Sequence, residues 1–419
     1  MTNLYTYYTQ VIFLSVIVIN HMLEIYLSRR QLSALQQSRA EVPSEFKNFL
    51  SLEDHQKAIN YSTSKLNYGQ AHLVWNALLM FYWFPFRGAE KLYLSFPDWG
   101  MHREVLFLVC FSLIQMLLNL PWGVYSTFVM EEKHGFNRTT PKIFIMDRLK
   151  GLALGGLIIV PLLYAVFFLY EQLGMYWWLA SFALVTIFQF IMIWLYPTYI
   201  APLFNKFNPL EGEELKNGIE KLVLNAGFKA RGVYVMDASR RSSHGNAYFT
   251  GFGKSKRVVF FDTLLKQLKV DEILAILAHE LGHLKLKHIP KSLAASIVIS
   301  FFGFWLMGAL SHSSWFYGGH FVRVPTPAIL ILLFTQVISL YTFWMTPIGS
   351  WISRLREFEA DAYAAQQTRA QNLITGLLKL YQQNASPVVT DKLYSAFYHS
   401  HPPALERIKR LESLVSKPG

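Results

Sequence analysis

The run Ala278-His279-Glu280-Leu281-Gly282-His283 sets two imidazoles four residues apart, with a carboxylate directly after the first. On a helix, positions i and i+4 stand one above the other on the same face. His279 and His283 so placed can hold one Zn²⁺, and Glu280 can reach a water on that metal as its general base. The local sequence favours a helix: Asp271 and Glu272 fall in a first turn, good helix formers follow, and the next proline is Pro290. The competing reading is two histidines on an ordinary amphipathic helix.

A catalytic zinc uses three protein ligands and keeps a fourth position open. The third is sought in Ser353-Arg354-Leu355-Arg356-Glu357-Phe358-Glu359-Ala360-Asp361, where Glu357 and Asp361 share a helical face. Glu357 could ligate while Asp361 accepts a hydrogen bond from a ligand histidine and fixes its tautomer. Spacing alone leaves Glu357 and Glu359 nearly even as the ligand, and either could belong to a solvated acidic face. The single cysteine, Cys110, lies in an apolar run, which excludes a disulfide framework and a cysteine zinc site.

The elements that must position these groups are mostly membrane spans. The 419 residues are 53% hydrophobic and only 16% charged, against roughly 25% charge in a soluble domain. Nearly charge-free runs predict seven transmembrane helices: about 7–27, 66–86, 105–130, 151–170, 173–205, 292–322 and 324–353. Pro121 is expected to kink the third, and Pro197 and Pro202 to break the fifth. The formal net charge of +12 is read as basic loops between spans rather than as a nucleic-acid surface. Those loops put one side, carrying the H-E-x-x-H segment, in the cytosol. An intramembrane protease is disfavoured because Lys285 and Lys287 follow the motif at once. A transporter with a structural zinc site is disfavoured because the spans carry almost no ionisable residues.

The expected layout is an N-terminal membrane domain (1–205, five spans), a zincin-like α+β catalytic domain (206–291), spans six and seven (292–350), and a C-terminal helical segment (351–419) completing the zinc site. Strands are expected at 232–236, 246–250 and 257–261, the last two joined through 251–255.

The motifs together resemble the membrane zinc metalloproteases of the CAAX prenyl protease type 1 (Ste24) family. The resemblance rests on His279-Glu-Leu-Gly-His283 with Ser353-Arg-x-x-Glu357-Phe-x-Ala-Asp361 far downstream. It extends to Glu132-Lys-His-Gly-Phe-Asn137 with Thr140-Pro141, Asn246-Ala-Tyr-Phe-x-Gly-Phe252 with Phe261-Asp-Thr-Leu264, and His401-Pro-Pro-x-x-x-Arg407. The related HtpX proteases have fewer spans and fit less well.

The resemblance implies Glu357 as the third zinc ligand, Asp361 as the carboxylate behind a ligand histidine, and Asn246, Ala247 and Tyr248 as a strand that binds extended substrate. It implies His401 and Arg407 as groups that stabilise the oxyanion or orient the substrate backbone. One Zn²⁺ per chain, a peptide or protein substrate that is prenylated or otherwise membrane-associated, and a lipid bilayer are the expected partners. The chain is shorter than expected of animal or fungal members and has no evident retrieval tail, which favours a bacterial inner membrane over the endoplasmic reticulum membrane. Bacteria lack prenylated CAAX proteins, so membrane-protein quality control is the alternative role. His134, His244 and His399 receive no role, and His288, five residues past His283, is read as an ordinary histidine near the membrane surface.

Overall fold

A computed structural model of the chain describes residues 2–228, 232–250 and 257–415. It is mainly helical, with one small sheet. Five stretches are long and apolar enough to cross a membrane: Leu4–Gln37, Met101–Glu131, Pro141–Phe204, His288–Leu310 and Pro327–Gln367. The Pro141–Phe204 stretch folds as two helices packed on each other, Pro141–Leu173 and Trp177–Leu195, reversing at Gly174 with φ +50°. A side chain is strained at that φ, and glycine is not.

The run expected as a second span, 66–86, lies mostly in the Leu52–Trp83 helix, which starts on a Ser51 cap and is not among the five. Asn67, Gln70, His72 and Asn76 lower its hydropathy without adding charge. His72 Nε2 lies 3.0 Å from Asn119 Oδ1 on the Met101–Tyr125 helix, so part of this polarity is spent within the protein.

The chain stays helical at the three prolines singled out in the sequence. The Met101–Tyr125 helix runs through Pro121 and then widens into a π turn over Ser126–Glu131. The chain also stays helical through Pro197 and Pro202, by a π turn (Tyr196–Ile200) and a short helix (Ala201–Phe204). Each of those two prolines sits in the first two positions of its segment, where its missing N–H costs little.

Along the spans, large apolar side chains face outward. None of the most apolar window of His288–Leu310 is buried, and Ile299 is 72% exposed. A surface of that kind suits hydrocarbon and not water. Where spans meet, Phe13, Trp83, Phe107, Phe111, Phe167, Tyr317 and Phe334 form a buried aromatic core.

A second core lies under the sheet. Strands β1 (Phe207–Pro209), β2 (Val233–Met236), β3 (Ala247–Thr250) and β4 (Arg257–Phe261) stand in the order β1-β2-β4-β3. β2 and β4 are parallel, and β3 is antiparallel to β4 at the edge. Three strands fall where expected; β1, three residues with a proline, carries too little pattern to be read from sequence. The joining stretch 251–255, with Phe252 of the motif, lies outside the described residues.

Val258, Phe260 and Ala247 share one hydrophobic core with the H-E-x-x-H helix (Val270–Lys285) and the helices Glu213–Asn225, Ala370–Gln383 and Ala404–Val415. Val42, Phe46 and Leu50 from the loop after the first helix join the same core. Arg30, near the end of that first helix, grips Asp391 in a two-pronged pair at 2.9 and 3.1 Å. This core is therefore assembled from segments hundreds of residues apart. The residue boundaries expected at 291/292 and 350/351 fall inside the continuous helices His288–Leu310 and Thr346–Gln367.

Candidate active site

The motif helix begins with Lys269, whose N–H donates to Glu272 Oε2 at 2.8 Å. Glu272 is in turn held by Lys379 Nζ from the Ala370–Gln383 helix at 2.6 Å. Ala275, Leu277, Ala278 and Leu281 are buried in the core, and this fixes which face of the helix carries the histidines. That face meets the Thr346–Gln367 helix, a continuation of the last apolar stretch after a short 3₁₀ turn at Phe343–Met345.

Gly282 sets how closely the two helices approach. A Cβ at this position would stand 3.0 Å from the Ala360 Cα and 3.1 Å from its carbonyl oxygen. Both are backbone atoms and cannot rotate away. Gly282→Ala is expected to cost about 1–3 kcal/mol by overpacking. Because the displaced helix carries Glu357, it should also weaken metal binding, which thermal melts with and without zinc will read. A variant with wild-type stability and zinc response would show that the contact is slack.

The approach brings three groups to one point. His279 Nε2 and His283 Nε2 are 3.2 Å apart. Glu357 Oε2 is 3.4 Å from His279 Nε2, and Glu357 Oε1 is 3.3 Å from His283 Nε2. Two ligand atoms bound tetrahedrally to one zinc at about 2.0–2.1 Å stand roughly 3.3–3.4 Å from each other. The observed separations match that spacing. Glu357 Oε2 is buried, with His279 Nε2 at 3.4 Å and His401 Nδ1 at 2.7 Å. Burial pushes the Glu357 pKa up, but the surrounding imidazoles hold it well below the usual carboxylate range. A buried carboxylate is costly unless positive charge faces it. The residues present therefore fit a zinc ion.

Asp361, one turn after Glu357, lies behind His279: its Oδ1 is 2.8 Å from His279 Nδ1. Arg407 clamps Asp361 with Nε and Nη2, each at 2.7 Å. Burial is the largest influence on His279 and pushes its pKa down, as does the Arg407 charge. Hydrogen bonds to Asp361 and Glu357 outweigh both and leave it raised. Burial likewise opposes the Arg407 charge, and Asp361 reverses the balance and holds its pKa above the usual value. Both shifts express the same surplus of carboxylate around the two imidazoles, an environment that favours positive charge.

Of the groups expected to face substrate, Arg407 is instead buried and committed to Asp361, with Nη2 3.2 Å from His279 Nδ1. Its clamp on a carboxylate leaves it behind the histidine and not in the open site. His401 is 65% exposed at the rim, in contact with Glu357. Glu280 is half-buried and makes no hydrogen bond with any described residue.

Asn246 is exposed at the start of β3, the sheet's edge strand. Its Oδ1 accepts from the Ala247 N–H at 2.8 Å. Ala247 faces the core shared with the motif helix. Tyr248 points to the opposite face of the sheet, against Met236 and Phe261, so only its main chain is turned along the edge.

His288 escaped the sequence reading as a participant, and Glu359, weighed there as a ligand, contacts it. His288 Nδ1 lies 3.0 Å from His283 Nδ1, and His288 Nε2 lies 2.9 Å from Glu359 Oε2. His288 is buried, not an ordinary surface histidine. The i+5 argument fails because the motif helix ends at Lys285. Lys287 takes a left-handed φ of 58°, and the chain starts a new helix at His288 in a different direction. The other histidines have local partners: His134 Nε2 with Ser64 Oγ at 3.0 Å, and His244 stacked on Phe136 with Nδ1 3.2 Å from Asn384 Oδ1. His399 packs edge-on to Tyr394, and its carbonyl accepts from Arg354.

The chain is similar to known proteins along most of its length. A profile described as CAAX prenyl protease N-terminal, five membrane helices, matches residues 31–206, and one described as peptidase family M48 matches residues 209–415. The chain is 34% identical over 406 residues to the CAAX prenyl protease 1 homolog of Arabidopsis thaliana, covering 94% of this chain and 95% of that protein. It is 31% identical to the Homo sapiens homolog, with 94% and 93% covered. The crystal structure of S. mikatae Ste24p superposes with a TM-score of 0.91 at 32% identity, covering 96% of this chain and 99% of that one.

Proposed function

The chain belongs to the CAAX prenyl protease 1 family, within peptidase family M48, and on that premise we propose that it is an integral-membrane zinc endopeptidase. The reading takes a prenylated protein with a C-terminal CAAX motif as substrate and release of its last three residues as the reaction. What carries it is the convergence of His279, His283 and Glu357 at zinc-ligand spacing beside the uncommitted carboxylate of Glu280.

His279, His283 and Glu357 would hold the ion. When bound, zinc supplies Lewis acidity toward the scissile carbonyl and lowers the pKa of water from about 15.7 toward about 7. Glu280 accepts the proton of the attacking water as its oxygen bonds to the carbonyl carbon. It returns that proton to the amide nitrogen as the C–N bond breaks, so a free carboxylate and a free amine leave. His401, exposed at the rim, is placed to donate to the developing oxyanion. Arg407 acts through Asp361, holding that carboxylate against His279. The outer edge of β3 at Asn246, Ala247 and Tyr248 offers main-chain groups on which an extended peptide adds as a further strand.

In this reading the bilayer is crossed seven times. The Pro141–Phe204 stretch counts twice, and the Leu52–Trp83 helix adds one more span. Residues 206–291 form the zincin-like domain, and the C-terminal segment completes its metal site. The basic loops put that site in the cytosol, at a bacterial inner membrane or, in a eukaryote, the endoplasmic reticulum membrane.

The test is cleavage by purified protein in detergent or vesicles. A prenylated CAAX peptide, the same peptide without its prenyl group, and an unprenylated membrane protein are compared. Zinc-dependent release of the tripeptide from the prenylated peptide is expected. Cleavage of the membrane protein alone would replace this substrate with a quality-control role. A zinc-loaded protein that cuts none of the three would end the hydrolytic reading.

A further inference from the structure

We propose that His288 and Glu359 are positioning residues for the metal ligand His283, forming a carboxylate–imidazole–imidazole relay. This rests on the zinc reading of the site. The contacts are His283 Nδ1 to His288 Nδ1 at 3.0 Å and His288 Nε2 to Glu359 Oε2 at 2.9 Å. The rings of His283 and His288 meet edge to face, with centroids 5.1 Å apart.

With a neutral His288, proton bookkeeping along this chain leaves one arrangement. A carboxylate can only accept, so His288 Nε2 carries a proton. A neutral His288 then presents a lone pair at Nδ1. His283 must therefore place its own proton on Nδ1 and donate it. Its Nε2 is left as a lone pair, pointing at His279 Nε2 and Glu357 Oε1. The same logic holds on the other ligand by a shorter route. Asp361 accepts from His279 Nδ1 and leaves Nε2 free. Each ligand histidine thus has its tautomer set by its own carboxylate, one directly and one through an intervening imidazole.

The two halves differ in exposure. Asp361 is buried and clamped by Arg407, whereas Glu359 is 58% exposed and His288 is 4% exposed. The relay also explains the two acids at Glu357 and Glu359. They stand on different faces of the Thr346–Gln367 helix, one turned to both histidines and the other to His288. His288 needs the left-handed turn at Lys287, which swings the start of its helix back over the end of the motif helix.

Carboxylates and imidazoles that orient a ligand typically contribute 10–100-fold in metal affinity. Zinc affinity is measured by chelator competition on full-length protein in detergent, for wild type, His288→Ala, His288→Asn, Glu359→Ala and the His288→Ala/Glu359→Ala double variant. His288→Ala should bind zinc about 10–100-fold more weakly. His288→Asn should recover most of that loss, because its side-chain oxygen can accept from His283 Nδ1. Glu359→Ala should weaken binding, and the double variant should lose no more than His288→Ala, because Glu359 acts only through His288. The visible spectrum of the cobalt-substituted protein should shift in His288→Ala and return in His288→Asn.

Zinc affinities within twofold of wild type in both Glu359→Ala and His288→Ala would overturn the relay, as would additive losses in the double variant. If His288→Ala does not fold, exposed Glu359→Ala decides the matter alone, unchanged affinity overturning the relay and weakened affinity supporting it. A wild-type protein that binds no zinc would instead overturn the parent reading.

Discussion

Glu280→Gln leaves a protein that binds one zinc per chain and no longer cleaves peptide. The atoms that converge at 3.2–3.4 Å are one nitrogen each of His279 and His283 and the two carboxylate oxygens of Glu357, so the metal should lose none of its partners. The amide has the size of the carboxylate but cannot take a proton from water, and loss of general-base help costs about 10²–10⁴ in rate. Glu280 makes no hydrogen bond with any described residue, so no buried partner is orphaned by the change. Zinc content by metal analysis should match wild type, and turnover of the prenylated peptide should fall by at least two orders of magnitude. Near-normal turnover with zinc bound would remove Glu280 from the mechanism.

Glu357→Gln is expected to lose both zinc and activity. Two imidazoles and a neutral amide fall short of the three strong ligands a catalytic zinc uses. Without metal, Glu357 is a buried carboxylate facing His279, His283 and His401. Neutralising it takes the counter-charge from that cluster, so the metal-free variant should also melt lower than the metal-free wild type. Added zinc at about 100 times its Kd raises wild-type stability by about 2.7 kcal/mol, and this response should vanish in the variant. Glu359→Gln is the control: it should still fill with zinc when zinc is in excess. If Glu359→Gln lost the metal at saturation and Glu357→Gln kept it, the ligand assignment would be reversed.

The legible and the hidden parts of this site differ in range. H-E-x-x-H announces two ligands because helical periodicity is a local rule, and Asp271 and Glu272 mark the start of that helix. Glu357 and Asp361 share a face for the same reason. Periodicity could not choose between Glu357 and Glu359; family resemblance favoured Glu357, and the packing of the two helices turns it toward both histidines. His288 was misjudged because a periodicity argument was carried past the end of its helix, across a left-handed residue that its type, lysine, does not advertise. Arg407 was expected in the open site, but a buried guanidinium facing a buried carboxylate pairs with it first.

By itself, the sequence determined that most of the chain is apolar enough for lipid, where the H-E-x-x-H helix lies, and the chemical types that surround it. These follow from composition and short-range spacing, which every chain displays in one dimension. Only the tertiary structure decided how near the two site helices come, which acid faces both histidines, and which groups stand behind each imidazole. Those outcomes depend on Gly282 seated against the Ala360 backbone, on the Lys287 turn, and on a core that joins residues 42–50 to residues 404–411. Contacts between segments so far apart in sequence are set by complementary shape and burial, and no local pattern encodes them.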